Sequence, residues 1–312
     1  MSWFHKLPAG SCGWRTWDAT SGARLELFCC RGHAEGPLVL ITAGVHGDEY
    51  EGPAAVFSLA ESLIPDRLHG TVIAVPVVNP AAFAAGTRLH PEDGRNLART
   101  FPGDTGGSPT EQLAAAIFTE LAAPADYLID LHSGGVEYVF LPVAGFYGDA
   151  LKGNASYRAA QAFGLPALWQ LPPTDGVLSC EAWRRGKVVV GCEYLGAGQL
   201  SQDGVHDYRN GVLACLEDWG LLERQCRTAR PSTAFEGDWV LASEPGIFTS
   251  FCRLGDEVRA GTLLASTRGL RGQVVQEFRG TAGGMVLGLR SKAYIGSGSW
   301  AVLVGRRMET NG

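Results

Sequence analysis

The chain has 312 residues, 46% of them hydrophobic and 19% charged, with a net charge of −6. That length exceeds what one hydrophobic core usually supports, so a large domain and a smaller one are expected, and the apolar share excludes a disordered chain. The negative balance, with no basic run anywhere, excludes nucleic acid as the main partner.

The longest apolar segments, such as Thr71–Val78, fall far short of the roughly 18–20 residues that span a bilayer, so no membrane partner is expected. The start of the chain, Met1-Ser-Trp-Phe-His-Lys, lacks a charged-then-apolar signal pattern and points to a soluble cytoplasmic protein. Eight cysteines, at 12, 29, 30, 180, 192, 215, 226 and 252, form no CxxC pair. They read as small buried thiols in a reducing compartment.

In chain order, Leu38–Ala43 (LVLITA) is a short apolar run ending at Gly44, the pattern of a buried strand and a turn. Pro53 to Ile64 reads as a helix with proline in its first turn. Thr71–Val78 is a second strand, with Pro76 marking a strand end or a bulge. Residues 79–109, rich in Asn, Pro, Gly, Asp and Arg without a period, read as a long loop, a kind of segment that is usually functional or disordered. Thr110–Leu121 is a helix capped by Thr110, and Tyr127–Leu131 is a third buried strand. Helices over Ala155–Phe163 and Val177–Arg185 follow, the second stopped by Gly186 ahead of the strand Lys187–Glu193. Val205–Leu222 is the last long helix.

This alternation predicts an α/β fold with a mixed, largely parallel sheet and helices on both faces. Residues 226–236 (CRTARPSTAFE) read as a linker. From Asp238 onward, short alternating runs separated by glycine indicate a small all-β module, sandwich-like or barrel-like. The expected division is a catalytic α/β domain over 1–225 and a β domain over 226–312.

His46-Gly-Asp-Glu49 follows the first strand, and a His and a Glu three residues apart can face one point across a single turn. Two histidines and one glutamate are a ligand set for catalytic zinc that leaves the fourth position for water. The third ligand should come from another strand end, a place that His132 occupies in Asp130-Leu-His-Ser-Gly-Gly135. Sites in open α/β sheets form at the carboxyl ends of strands, and the first, third and last α/β strands end in His46, His132 and Glu193. Asp130 lies two residues before His132, on the same side of the strand, where it either orients that imidazole or caps a loop.

Five segments, AGVHGDEYEGPAA (43–55), VNPAAFAAGTR (78–88), DGRNLARTFPG (93–103), DLHSGG (130–135) and VVVGCEYLGAG (188–198), resemble the succinylglutamate desuccinylase/aspartoacylase family in that family's order. The C-terminal module is similar to that of its bacterial N-acyl amino acid deacylase branch. The resemblance implies a zinc carboxypeptidase-like fold and one zinc ion per chain, held by His46, Glu49 and His132. It implies that Glu193 is the general base acting on water and that Arg88 polarises the scissile carbonyl. It assigns the substrate's carboxylate to Arg99 and makes Asn96 a substrate contact.

Where the family pattern reads Asn-Leu-Asn-Arg, this chain has Asn96-Leu97-Ala98-Arg99, and Ala98 cannot donate an amide hydrogen bond. Arg95 either recognises a further polar group or is a solvated surface charge. The implied activity is hydrolysis of a linear amide in a small N-acylated amino acid, giving an acid and a free amine. A metallocarboxypeptidase acting on a C-terminal residue, or a zinc-containing binding protein without turnover, are the alternatives, and a homo-oligomer stays open.

Overall fold

The computed structural model describes residues 3–20, 22–150, 153–225 and 232–309. Residues 226–231, most of the expected linker, lie outside the described residues.

The chain opens with two strands that periodicity did not reveal, β1 (Ser11–Asp18) and β2 (Arg24–Arg31), paired as an antiparallel hairpin. The first expected strand is β3 (Ala34–Ala43), longer at its start than its apolar run, and the second is β4 (His69–Val75), which stops at Pro76. Next come β5 (Tyr127–Leu131), β6 (Tyr138–Phe146), β7 (Ala167–Gln170) and β8 (Val188–Gly196). These eight stand in the order β1-β2-β4-β3-β5-β8-β6-β7.

Only the central block β4-β3-β5-β8 is parallel throughout. β2 runs antiparallel to β4, and β6 antiparallel to β8, while β6 and β7 pair in parallel. The sheet is mixed, as expected, with its parallel pairing concentrated in the central block and its antiparallel pairing towards the edges. A parallel neighbour needs a crossover of a dozen or more residues, whereas β1 and β2 are joined by a tight turn that closes only an antiparallel pair.

Among the described residues six α-helices accompany these strands: α1 (Glu51–Ala60), α2 (Pro80–Ala85), α3 (Pro109–Ala116), α4 (Ala155–Phe163), α5 (Leu178–Arg184) and α6 (Gln202–Asp218). Successive strand residues point to opposite faces. Val39, Ile41, Ile129 and Val190 enter one hydrophobic cluster with side chains of α1, α4 and α6. Leu38, Leu40, Leu128 and Val189 enter another, with side chains of α3 and α5. Among the described residues no helix is long and apolar enough to cross a membrane.

The expected long loop is more structured than its composition suggests. Asn79 caps α2, accepting from the Ala82 amide at 3.2 Å, and Gly86 ends it in the left-handed conformation. Asn96 caps a 3-10 turn over Leu97–Arg99 in the same way. The cap of α3 is Ser108 rather than Thr110. The Ser108 amide donates to the Glu111 carboxylate at 2.8 Å, and Pro109 takes the first helical position. The expected helix Thr110–Leu121 continues past α3 as a π-helical turn over Ile117–Ala122.

The C-terminal part contains β9 (Thr233–Leu241), β10 (Gly246–Ser250), β11 (Glu257–Val258), β12 (Leu263–Arg268), β13 (Val274–Arg279), β14 (Gly284–Arg290), β15 (Tyr294–Ile295) and β16 (Trp300–Arg307). β13, β12, β10 and β15 form a separate antiparallel sheet. The others extend the first sheet, since β9 pairs in parallel with β7, and β14 pairs with β6. The C-terminal β module thus shares a twelve-stranded sheet with the α/β part. One cluster also spans both, joining Phe140, Val143 and Trp169 to Phe235, Leu287 and Leu303.

The reading of every cysteine as a separate thiol is corrected at one pair. Cys12 and Cys30, opposite each other in the β1–β2 ladder, are joined by a disulfide. Neither strand shows in the periodicity, so nothing in the sequence sets these two side by side. Cys29, Cys180, Cys192 and Cys215 are buried free thiols and Cys252 is half-buried, while Cys226 lies outside the described residues.

Candidate active site

The site lies where β3, β5 and β8 end side by side. Beyond β3 the chain turns through Gly47, whose amide donates to the Thr87 carbonyl at 2.9 Å. A Cβ at Gly47 would come within 1.9 Å of the Ala82 carbonyl oxygen, so only glycine lets the turn lie against α2. This close packing brings Arg88 over the turn that carries His46 and Glu49.

His46, Glu49 and His132 each offer a ligand atom, and these atoms lie within 4.8 Å of one another. Glu49 is the hub. Its Oε1 is 2.6 Å from His46 Nδ1, and its Oε2 is 3.0 Å from His132 Nδ1 and accepts from the Ser133 amide at 3.2 Å. All three are nearly or wholly withdrawn from solvent.

The remaining nitrogen of each imidazole is already committed. His46 Nε2 is 3.1 Å from Asn96 Oδ1, which also accepts from the Ala98 amide and is therefore fixed as the oxygen. His132 Nε2 is 3.2 Å from Asp130 Oδ2, and Asp130 Oδ1 accepts from the Thr42 hydroxyl at 2.7 Å. Both partners are acceptors, so each Nε2 carries a hydrogen and each Nδ1 is the atom left to face Glu49. A carboxylate so close to an Nδ1 needs positive charge between them, a proton or a metal ion. The donor set fits zinc, which takes neutral imidazole and carboxylate together. Asp130 thus orients its histidine rather than capping a loop. The Tyr208 hydroxyl, which donates to the His132 carbonyl at 2.5 Å, supports the same residue from α6.

The electrostatics follow the geometry. Burial, with Arg88 adding to it, lowers His46 to about 4. Burial opposes charge on His132 as well, but Asp130 and Glu49 outweigh it and raise that imidazole well above its ordinary value. Burial alone would raise the Glu49 carboxyl, yet His46 and His132 hold it below the usual carboxylate range. Glu193, near the end of β8, is pushed up to about 8, chiefly by burial and further by Glu49, against the pull of His132 and Arg88. Its Oε2 is buried and has no hydrogen-bond partner among the described residues.

Arg88 Nη1 lies 3.3 Å from both His46 Nδ1 and Glu49 Oε1. Arg99 and Ala98 line the same cavity of about 150 Å³, together with His46, His132, Arg88 and Glu193. Arg95 does not. It forms an exposed ion pair with Glu111 at 3.0 Å, outside that lining. Asn96 is drawn in as the partner of His46 and the cap of the 3-10 turn, and it is not among the side chains lining the cavity.

Sequence reasoning missed the cavity's far wall, which is aromatic: Phe140, Tyr147, Trp169, Trp239 and Trp300. Two of these come from β9 and β16, in the C-terminal part. The tryptophans in GDWVLAS and GSGSWAVLVG, bulky residues amid glycine-rich turns, were the available signal.

The fold and this constellation define a mixed α/β protein with a His-Glu-His cluster at the strand ends. The profile of the succinylglutamate desuccinylase/aspartoacylase catalytic domain matches residues 35–218, and the chain belongs to that family. It is 30% identical over 289 residues to the N-alpha-acetyl-L-2,4-diaminobutyric acid deacetylase of Halomonas elongata, covering 89% of this chain and 84% of that one. A product-bound structure of the ectoine utilization protein EutE (DoeB) from Ruegeria pomeroyi is similar at a TM-score of 0.84 and 29% identity, over 96% of this chain and 97% of the other. A succinylglutamate desuccinylase from Silicibacter gives a TM-score of 0.83 at 27% identity, over 97% and 98% of the two chains.

Proposed function

We propose that the protein is a zinc-dependent hydrolase that removes the acyl group from an N-acylated amino acid. The observation that carries this is the pair of imidazoles, each with Nε2 bound to a fixed acceptor and Nδ1 turned to the Glu49 carboxylate. The relatives named for deacylation or desuccinylation support the reaction class. A cavity of about 150 Å³ suits a small molecule better than a peptide chain, which sets the carboxypeptidase reading behind this one. The same proposal takes the fold as zinc carboxypeptidase-like, supported by the clusters that α1, α4, α6 and α3, α5 make with alternate strand residues.

His46, Glu49 and His132 would hold the ion. When bound, zinc supplies Lewis-acid chemistry, polarising a carbonyl and lowering the pKa of water towards about 7. Glu193 takes a proton from the attacking water and later delivers it to the departing amine nitrogen. A proton affinity near neutrality, set by burial to about 8, suits both transfers. Arg88 donates to the carbonyl oxygen as negative charge develops there. Arg99 receives the substrate's carboxylate, although Ala98 beside it adds no amide donor. Water adds to the carbonyl carbon, the C–N bond breaks, and a carboxylic acid and a free amino acid leave.

Release of free amino acid from a panel of N-acyl amino acids tests the reading. Zinc-loaded protein should cleave them, a chelator should abolish cleavage, and Glu193→Gln should lower kcat by about 10²–10⁴ without loss of bound zinc. Faster cleavage of peptides with free C-termini than of acylated amino acids would overturn the deacylase assignment. Full activity in Glu193→Gln would overturn the assigned base.

A further inference from the structure

We infer that the site selects N-acylated amino acids whose own side chain is aromatic. This rests on the deacylase reading above and names the substrate that the cavity wall favours.

Arg99 fixes which half of the substrate meets which wall. Its guanidinium donates to its neighbour's carbonyl, Ala98 O, at 2.7 Å, and no carboxylate among the described residues pairs with it. The guanidinium carbon lies 5.6 Å from the ring centroid of Trp300. A substrate carboxylate bound at Arg99 therefore sets the amino-acid side chain, one bond from the same α-carbon, beside Trp300. The amide on that carbon then points back towards His46, His132 and Glu193.

Trp300 belongs to a built surface. It stacks on Trp239 with ring centroids 5.0 Å apart and planes 9° apart, and Phe140 meets Trp239 edge-on at 5.6 Å. Trp239 lies flat because of Gly288 in β14, where a Cβ would stand 2.9 Å from Trp239 Cη2. A flat apolar ring gains from such a wall both through buried area and through offset or edge-on packing.

Charge argues the same way. The charged or titratable groups lining the cavity, apart from Tyr147, are His46, His132, Arg88, Glu193 and Arg99. Four of these serve the reaction, and Arg99 is taken by the α-carboxylate. An acidic side chain finds no second cation, and an amino side chain finds no carboxylate other than the base. Either would be held against indole without a countercharge, since Trp239 Nε1–H and the Tyr147, Thr174 and Ser179 hydroxyls are neutral, a cost that an aromatic side chain avoids.

The test compares N-acetyl-L-phenylalanine with N-acetyl-L-alanine, N-acetyl-L-aspartate and Nα-acetyl-L-2,4-diaminobutyrate on the zinc-loaded full chain. The expected result is a kcat/KM for the phenylalanine compound at least about tenfold above each of the others, expressed mainly in KM. Trp300→Leu should lower the phenylalanine-to-alanine ratio about tenfold, and Trp300→Phe should restore most of it. Calorimetric titration of wild-type protein with free L-phenylalanine, L-aspartate and L-2,4-diaminobutyrate gives a second readout, with phenylalanine expected to bind tightest. Cleavage of N-acetylalanine without aromatic preference, or tightest binding of a charged amino acid, overturns the inference alone. If no acylated amino acid is cleaved, the deacylase reading fails, and the titration still decides whether the wall selects rings.

Discussion

At the scale of single residues, His46, Glu49, His132 and Glu193 lie in short segments at strand ends, and the structure gathers them at one end of the sheet. The groups that hold them come from elsewhere in the chain. Asn96 reads in the sequence as a substrate contact, yet its carboxamide binds His46 Nε2 and caps the turn beneath Ala98. No local pattern distinguishes an asparagine aimed at substrate from one aimed at a histidine fifty residues away. The distinction has a measurable consequence. Groups that orient a ligating imidazole typically contribute 10–100-fold in metal affinity. Asn96→Ala should therefore weaken zinc binding by about that factor in competition with a chromophoric chelator. A variant whose KM rises while its zinc affinity is unchanged would return Asn96 to the substrate-contact role.

At the scale of elements, the helices and the strands β3, β4, β5 and β8 followed their periodicity, whereas β1, β2, β6, β7 and the structure within residues 79–109 left no periodic signal. α2 is only six residues long and begins at an Asn-Pro step, so it offers too little length for a periodic signal. The segment is held by side chains rather than by a core stripe of its own. Asp93 is its main tie to α3, accepting from the Thr110 amide at 2.9 Å, the Thr110 hydroxyl at 2.7 Å and the Arg95 amide at 3.1 Å. Burial would raise the Asp93 carboxyl, but these donors outweigh it and hold it below the usual range. A carboxyl depressed in the folded state stabilises fully above its unfolded value of about 3.9, and that contribution fades as pH falls through the folded value. Asp93→Asn should cost about 1.5–3 kcal/mol at pH 7, read from urea unfolding, with the gap to wild type closing below about pH 4. A gap that persists unchanged in acid would show that the lost contact is not one made by the ionised form.

At the scale of the whole molecule, the sequence separated two regions of different character but gave no sign of their union. Pairing of β6 with β14 joins segments about 150 residues apart, and nothing local in Tyr138–Phe146 announces such a partner. The shared cluster of Phe140, Val143 and Trp169 with Phe235, Leu287 and Leu303 makes the two parts mutually dependent, because separating them would expose all of these side chains together. Calorimetry should accordingly show one cooperative transition, with calorimetric and van't Hoff enthalpies in agreement. Two resolved transitions would mean that the twelve-stranded sheet does not couple its halves.

The extension of that sheet through β9, β14 and β16 also divides labour along the polypeptide. The groups proposed to break the bond come from residues 46–193, while Trp239 and Trp300, which line the same cavity, come from the last quarter of the chain. Exchange of that last quarter between homologues is thus a route by which evolution, or a designer of chimeras, can alter what the pocket admits and leave the reacting groups as they were.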